Sequence, residues 1–197
     1  MAETINTDAP AYIVDGVLTD GEAWVPLITN VLTSDAAVVT FQSSTGANDW
    51  SQYLDLVLVT YSRASVSATW DGMKLHFNND STAANYPAER LDGDGSSVTA
   101  AAYTTTGVWI TSMGNTAGAN EFAVSVQQIF DINSGKYKSV IGSEAQDSNG
   151  DGTVGLRGTT WKSQAPISEI DINAGSGDLM AGSRFDLFGV LPRMVTA

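Results

Sequence analysis

The chain has 197 residues, with 22 Asp+Glu against 9 Lys+Arg, a single His and no Cys, for a formal charge of −13 at pH 7. Hydrophobic residues make up 43% and charged ones 16%, enough apolar material for the core of one folded domain. The acidity argues against a DNA-binding or anionic-membrane surface, and the missing Cys excludes disulfides, thiolate metal sites and cysteine nucleophiles.

Residues 1–62 carry eight of the acids (Glu3, Asp8, Asp15, Asp20, Glu22, Asp35, Asp49, Asp55) and no Lys or Arg. Within them, residues 1–35 mix short apolar pieces, Tyr12-Ile13-Val14, Val17-Leu18 and Trp24-Val25, with Asp-Gly and Gly-Glu turn signals. This reads as an extended N-terminal arm or a few short strands rather than a packed unit, either frayed or docked on a neighbouring chain. Tyr12, Trp24, Val25 and Leu27 are its candidate assembly contacts, with ordinary core packing as the other reading. Met1-Ala2-Glu3-Thr4 lacks the basic and apolar regions of a secretory signal. No stretch reaches the roughly 18–20 apolar residues that span a bilayer, so cytoplasmic synthesis without a membrane partner is expected.

From residue 36 to 197 the pattern is β throughout. Strands are expected at Ala37–Gln42, Leu54–Ser62, Met73–Phe77, Ala100–Thr105, Val108–Ser112, Phe122–Phe130, Ser139–Ser143, Val154–Trp161, Ile167–Asn173 and Ser183–Val190. In Phe122–Phe130 the apolar residues Phe122, Val124, Val126 and Phe130 share one face at period two, which reads as a core face. Ile170 and Ile172 likewise alternate with Glu169, Asp171 and Asn173. Phe185 and Leu187 alternate with Arg184 and Asp186, and Gly189 marks a bulge or a close backbone approach. Turn signals rich in Gly, Asn and Asp separate the runs, among them Asn78-Asn79-Asp80, Asp92-Gly93-Asp94-Gly95 and Asn133-Ser134-Gly135. Many short strands between such turns predict an all-β antiparallel sandwich, of jelly-roll type, carrying the arm at its N-terminus.

Little in the sequence marks out chemistry. His76 lies in the strand-like run Lys74-Leu75-His76-Phe77, and no Gly-x-Ser-x-Gly elbow accompanies it, so a structural or surface role is expected. Asp92-Gly93-Asp94-Gly95 reads as a hairpin or crossover turn. Asp147-Ser148-Asn149-Gly150-Asp151-Gly152 opens like a calcium loop, with oxygen ligands at positions one, three and five. Gly158 occupies the position where a closing Glu belongs, so a plain turn is the preferred reading and calcium at Asp147, Asn149 and Asp151 stays open. No carboxylate pair is singled out for glycoside cleavage, and phosphate-cradling glycine loops are absent. No catalytic residue, cofactor or metal is expected.

Two segments resemble a known group. Tyr53-Leu54-Asp55-Leu56-Val57-Leu58-Val59 is followed by Gly72-Met73-Lys74-Leu75-His76-Phe77-Asn78-Asn79-Asp80 and Asn85-Tyr86. Ile167-Ser168-Glu169-Ile170-Asp171-Ile172 is followed by Ala181-Gly182-Ser183-Arg184-Phe185-Asp186-Leu187-Phe188-Gly189-Val190. Over roughly residues 38–191 this pairing resembles small β-rich virion structural proteins of tailed bacteriophages, with Phe188 and Val190 where Tyr and Ile are usual. The resemblance implies a non-enzymatic capsid-decorating cement protein on the virion surface. Its implied partners are the major capsid protein and copies of itself in a homotrimer. A tail or fibre module that binds a receptor or carbohydrate is the alternative, and a polysaccharide-cleaving enzyme ranks behind both.

Overall fold

The computed structural model describes residues 13–14, 17–18, 24–147 and 152–191, the first two pairs as backbone alone. Fourteen strands follow in chain order. They are β1 (Ile13–Val14), β2 (Val17–Leu18), β3 (Trp24–Val31), β4 (Val38–Gln42), β5 (Asp55–Ser62), β6 (Trp70–Phe77) and β7 (Pro87–Gly93). After these come β8 (Val98–Thr104), β9 (Val108–Met113), β10 (Ala123–Phe130), β11 (Lys138–Gln146), β12 (Thr153–Trp161), β13 (Glu169–Ala174) and β14 (Arg184–Val190). Three single-turn 3-10 segments are the only helical pieces among the described residues.

β1 and β2 pair with each other; the remaining strands form two antiparallel sheets packed as a sandwich. The large sheet has eight strands in the order β3-β14-β5-β10-β11-β12-β7-β8, and the small one has four in the order β4-β13-β6-β9. With β1, β2, β7, β8, β11 and β12 set aside, the large sheet holds the first, eighth, third and sixth of the eight remaining strands. The small sheet holds the second, seventh, fourth and fifth. That is the jelly-roll order. The hairpins β7–β8 and β11–β12 are insertions that widen the large sheet beyond the small one.

All ten expected strands form. Four others lie outside the ten: the two-residue strands β1 and β2 in the stretch assigned to the arm, and β3 and β7. Trp24–Val31, within the stretch assigned to the arm, is the edge strand β3, paired with β14. Pro26 obscures it in the sequence, but an edge strand tolerates the missing N–H. Pro87–Gly93 becomes β7 although Glu89, Arg90 and Asp92 break its apolar alternation, because β12 and β8 pair with it on both sides.

The core lies between the small sheet and the β14-β5-β10 part of the large one. Phe41, Leu56, Leu58, Leu75, Phe77, Ile110, Ile129, Ile170, Ile172, Phe185 and Leu187 interdigitate there, with Trp50 and Trp161 buried alongside. Ile170, Ile172, Phe185 and Leu187 point inward as their alternation predicts. Gly189 is the expected close approach: the Tyr53 ring packs against it where a Cβ would collide, and the β14–β3 register shifts between Leu187 and Phe188.

The Phe-Asn-Asn-Asp and Asn-Tyr segments form one knot at the end of β6. Asn78 and Asn79 turn the chain at φ 51° and 60°. The Asn78 side-chain oxygen accepts from the Ser168 and Glu169 backbone N–H groups at 2.9 and 3.1 Å, tying the turn to β13. Asp80 accepts from Trp161 Nε1, Asn85 Nδ2 and the Thr82 N–H at 2.8, 2.8 and 2.9 Å. The Tyr86 hydroxyl donates to the Asp80 carbonyl and accepts from the Phe77 N–H. Burial by itself raises the Asp80 carboxyl pKa, but these donors outweigh it and hold the group at about 2.

Asp80→Ala is expected to lower stability by about 2 kcal/mol, since it strands the buried Trp161 N–H and the Asn85 amide; urea unfolding reads it. Because the folded pKa lies below the unfolded one, the carboxylate's contribution is full above about pH 4 and fades as pH falls through about 2. Unfolding midpoints of the wild type and Asp80→Asn should therefore converge between pH 4 and 2.

Candidate functional site

Face assignments follow from the strand registers, because side chains alternate across a sheet. On the outer face of the large sheet, Tyr61, Val124, Ala145 and Val154 lie opposite one another in a row across β5, β10, β11 and β12. The next row is Val59, Val126, Ser143, Leu156, Leu91 and Ala100, which carries the face over β7 to β8. A third row places Val57, Gln128, Ile141, Gly158, Glu89 and Ala102 in line. At about 4.8 Å per strand the six strands span about 24 Å.

Most of the face is exposed: Val98 is 73%, Val154 67%, Ile141 53%, Leu156 50% and Val124 45% accessible, while Val57 at its β5 end is buried. Glu89 is its exposed charge between β5 and β8; Asp55, at one end, is buried and accepts from Gln128 Nε2 and the Asp131 N–H. The face also has relief. Val59, Tyr61, Val124, Val126, Ala145 and Val154 line a depression of about 500 Å³, bounded on the β14 side by the Arg184–Asp186 ion pair at 2.7 Å. Gly158 has open space where a side chain would stand, which leaves a second hollow between Ile141 and Glu89.

This arrangement corrects the sequence reading of Phe122–Phe130. Val124 and Val126 point outward and are exposed, while Ala123, Ser125, Gln127 and Ile129 point inward. Alternation separates the two faces of a strand but does not say which one is covered. Inward-facing Gln127 is accommodated because β11 carries Gly142 opposite it; a Cβ there would collide with the Gln127 amide. Its amide donates to Ser125 Oγ at 2.8 Å.

On the inner face, β11, β12 and β7 extend past the small sheet, and a charged cluster fills the overhang. Arg157 and Glu144 pair directly, their side chains 6% and 3% exposed. Arg157 Nη2 lies 3.2 Å from Asp92 Oδ1, and its guanidinium stacks 3.9 Å from the Trp109 ring centroid. The Thr111 N–H, on the edge strand β9, donates to Glu144 Oε2 at 2.8 Å, and Thr111 Oγ1 meets Gln146 at 3.1 Å. Burial pushes the Glu144 carboxyl pKa up, and Arg157 opposes the rise. The cluster balances two carboxylates against Arg157 and the half-exposed Arg90, which lies 3.5 Å from Asp92. It fastens the overhang to β9.

The sequence-derived contact residues separate. Trp24 is exposed on the outer side of β3, its ring 5.6 Å from that of Phe188. Val25 is buried and Leu27 packs against the core, so neither offers a free surface. Tyr12 lies outside the described residues, as do Asn149 and Asp151 of the calcium-like loop. Gly158, the closing position of that loop, is in mid-strand in β12. Among the described residues no cluster of metal-ligating side chains occurs. His76 is half-buried on the outer side of the small sheet, its Nδ1 3.3 Å from Asn173 Nδ2, and Gly107 packs against its ring. Burial lowers its pKa, partly offset by Asp171. Asp92-Gly93-Asp94-Gly95 is the expected hairpin turn, between β7 and β8. There Asp94 accepts from the Ser96 and Ser97 N–H groups, which hold its pKa well below the carboxylate range.

Arg157→Leu should destabilise the fold by about 3–5 kcal/mol, because it leaves Glu144 buried without its cation. Guanidinium denaturation of the single variant and of Arg157→Leu with Glu144→Leu checks this, the double variant regaining most of the loss. In the single variant Glu144 keeps a raised folded pKa, so the deficit should widen as pH rises above about 4.

The outer face thus presents exposed apolar side chains on adjacent strands with no covering layer among the described residues. The chain matches no protein-family model, no curated protein and no solved structure.

Proposed function

We propose that the protein is a non-enzymatic structural subunit of a tailed-bacteriophage virion, a decoration protein that binds the outer capsid surface and stabilises the head by subunit contacts. The observation that carries the reading is the apolar outer face of the large sheet. A monomeric protein rarely leaves an apolar patch of more than a few hundred Å² uncovered, and larger ones mark interaction surfaces. Here Tyr61, Val124, Val126, Ile141, Val154 and Leu156 stand side by side on four hydrogen-bonded strands, which fixes their positions before any partner arrives. A rigid face of this kind loses little conformational freedom on docking, so more of its burial energy appears as affinity.

The phage assignment rests on the sequence resemblance. The motif residues that carry it, Asn78, Asp80, Asn85 and Tyr86, are fold-holding residues, so the likeness speaks to a shared architecture. On this reading the partner is the major capsid protein, and the apolar face, with Trp24 and Phe188 beside it, is the contact surface.

The tail-module alternative has one feature in its favour. Trp70, 51% exposed and edge-on to Trp109 with centroids 6.3 Å apart, is a platform on which a sugar ring can stack.

The test is occupancy on purified heads that lack the protein. Wild type should bind, while Val126→Glu and Leu156→Glu, whose side chains point away from the core, should lower occupancy at least tenfold with the unfolding midpoint unchanged. Removal of residues 1–23 tests the arm separately; a cut at residue 35 would also delete β3. Wild-type occupancy for both Glu variants, or no binding by the wild type, would overturn the cement reading. Loss of glycan-array binding in Trp70→Ala would favour the tail module.

A further inference from the structure

The large sheet has two edges of different character. β3 is broken by Pro26 and by the register shift against β14, features that discourage strand addition. β8, at the other edge, is Val98-Thr99-Ala100-Ala101-Ala102-Tyr103-Thr104: seven residues without charge, proline or bulge. In a chain of net charge −13 this is an unprotected edge, and unprotected edges pair.

The free groups can be named. The Thr105 N–H donates to the Tyr86 carbonyl, which fixes the parity of the β7–β8 ladder. Thr99, Ala101 and Tyr103 therefore direct their N–H and C=O groups toward β7, while Val98, Ala100, Ala102 and Thr104 direct theirs away from it. Pro87, opposite Thr104, agrees with that parity, because a proline has no N–H to give. None of the four outward-directed residues has a backbone partner among the described residues.

We infer that β8 pairs antiparallel with β8 of a second copy, centred on Ala101, so that two large sheets join into one across a two-fold axis. The sequence is self-complementary in this register. Ala100 faces Ala102 of the other copy, Val98 faces Thr104, and Thr99 faces Tyr103, so small residues meet small ones and β-formers meet β-formers. All four outward-directed residues then fall in hydrogen-bonded pairs, for about eight bonds between the copies. No charge is brought against a like charge along the strand. Continued one turn outward, the register sets Ser96, which donates to Asp94, beside Thr106, which accepts from Lys74 at 2.9 Å. Opposite charges thus approach at both ends. The apolar outer face runs unbroken from one copy to the other through Val98, Ala100 and Ala102, and because each copy uses its own open edge the assembly closes at two.

This association differs from the three-fold one implied by the phage resemblance, and it stands whether or not the protein binds capsids. Sedimentation equilibrium of the full chain should give twice 20.7 kDa. Ala102→Pro removes an outward N–H and Ala100→Lys places a charge on the edge, and neither touches the β7 ladder. Each should raise the dimer dissociation constant at least tenfold with far-UV dichroism and unfolding midpoint preserved. Val126→Glu, on the outer face away from the edge, should leave the dimer intact. Hydrogen exchange supplies the second measurement: the Ala100 and Ala102 amides should be protected in the dimer and exchange freely in Ala102→Pro. A monomeric or trimeric wild type at micromolar concentration, a dimer insensitive to both edge variants, or a dimer with unprotected Ala100 and Ala102 amides would each overturn the inference.

Discussion

Eight hydrogen-bonded strands face four, and the four cannot cover the eight. Over β14, β5 and β10 the small sheet supplies an apolar partner, and the core there is built from Leu, Ile, Phe and Trp. Past β9 no second sheet remains, so the inner face of β11, β12 and β7 must be closed by other means. Glu144, Arg157 and Asp92 do so, joined to β9 through the Thr111 N–H and the Trp109 ring. Ion pairs in such a place are costly to desolvate and costly to break. They do what an apolar core cannot do at an open flank: give edge-strand donors a partner while tolerating nearby water.

The same inequality shapes the outside. Widening the large sheet by two hairpins lengthens its outer face, where Val, Leu, Ile and Tyr recur in register without a covering layer. It also moves the sheet edge from β10 to β8. An apolar face and an uncharged edge thus meet at β8. The edge belongs to an inserted hairpin, and the face begins on β5 and β10 of the basic fold and is extended by the insertions.

Elsewhere, several buried polar side chains are given specific local partners. Arg63 spreads its guanidinium over the carbonyls of Asn115, Ala117, Gly118 and Glu121. Lys138, buried in β11, donates to the Ser134 and Lys136 carbonyls of its own hairpin turn. Asp80 gathers Trp161, Asn85 and Thr82. These groups hold loops to sheets and leave the large outer face free of such demands.

Strand positions were legible in the sequence because alternation and turn chemistry are local: Ile170 with Ile172, Phe185 with Leu187, and the Asn78-Asn79 turn all behave as their neighbours dictate. The all-β sandwich followed from the same signals. What local pattern cannot carry is which side of a strand is covered, since that depends on how wide the opposing sheet is. Val124 and Val126 therefore read as core and stand in solvent, and Gln127 reads as surface and lies buried against Gly142. Pro87–Gly93 becomes a strand only because β12 and β8 flank it, and Glu144 finds Arg157 and Thr111 only once β9, β11 and β12 converge. Local pattern says where the chain extends and turns; the meeting of two sheets says which faces are covered, because burial belongs to the packing of sheets and not to any one strand.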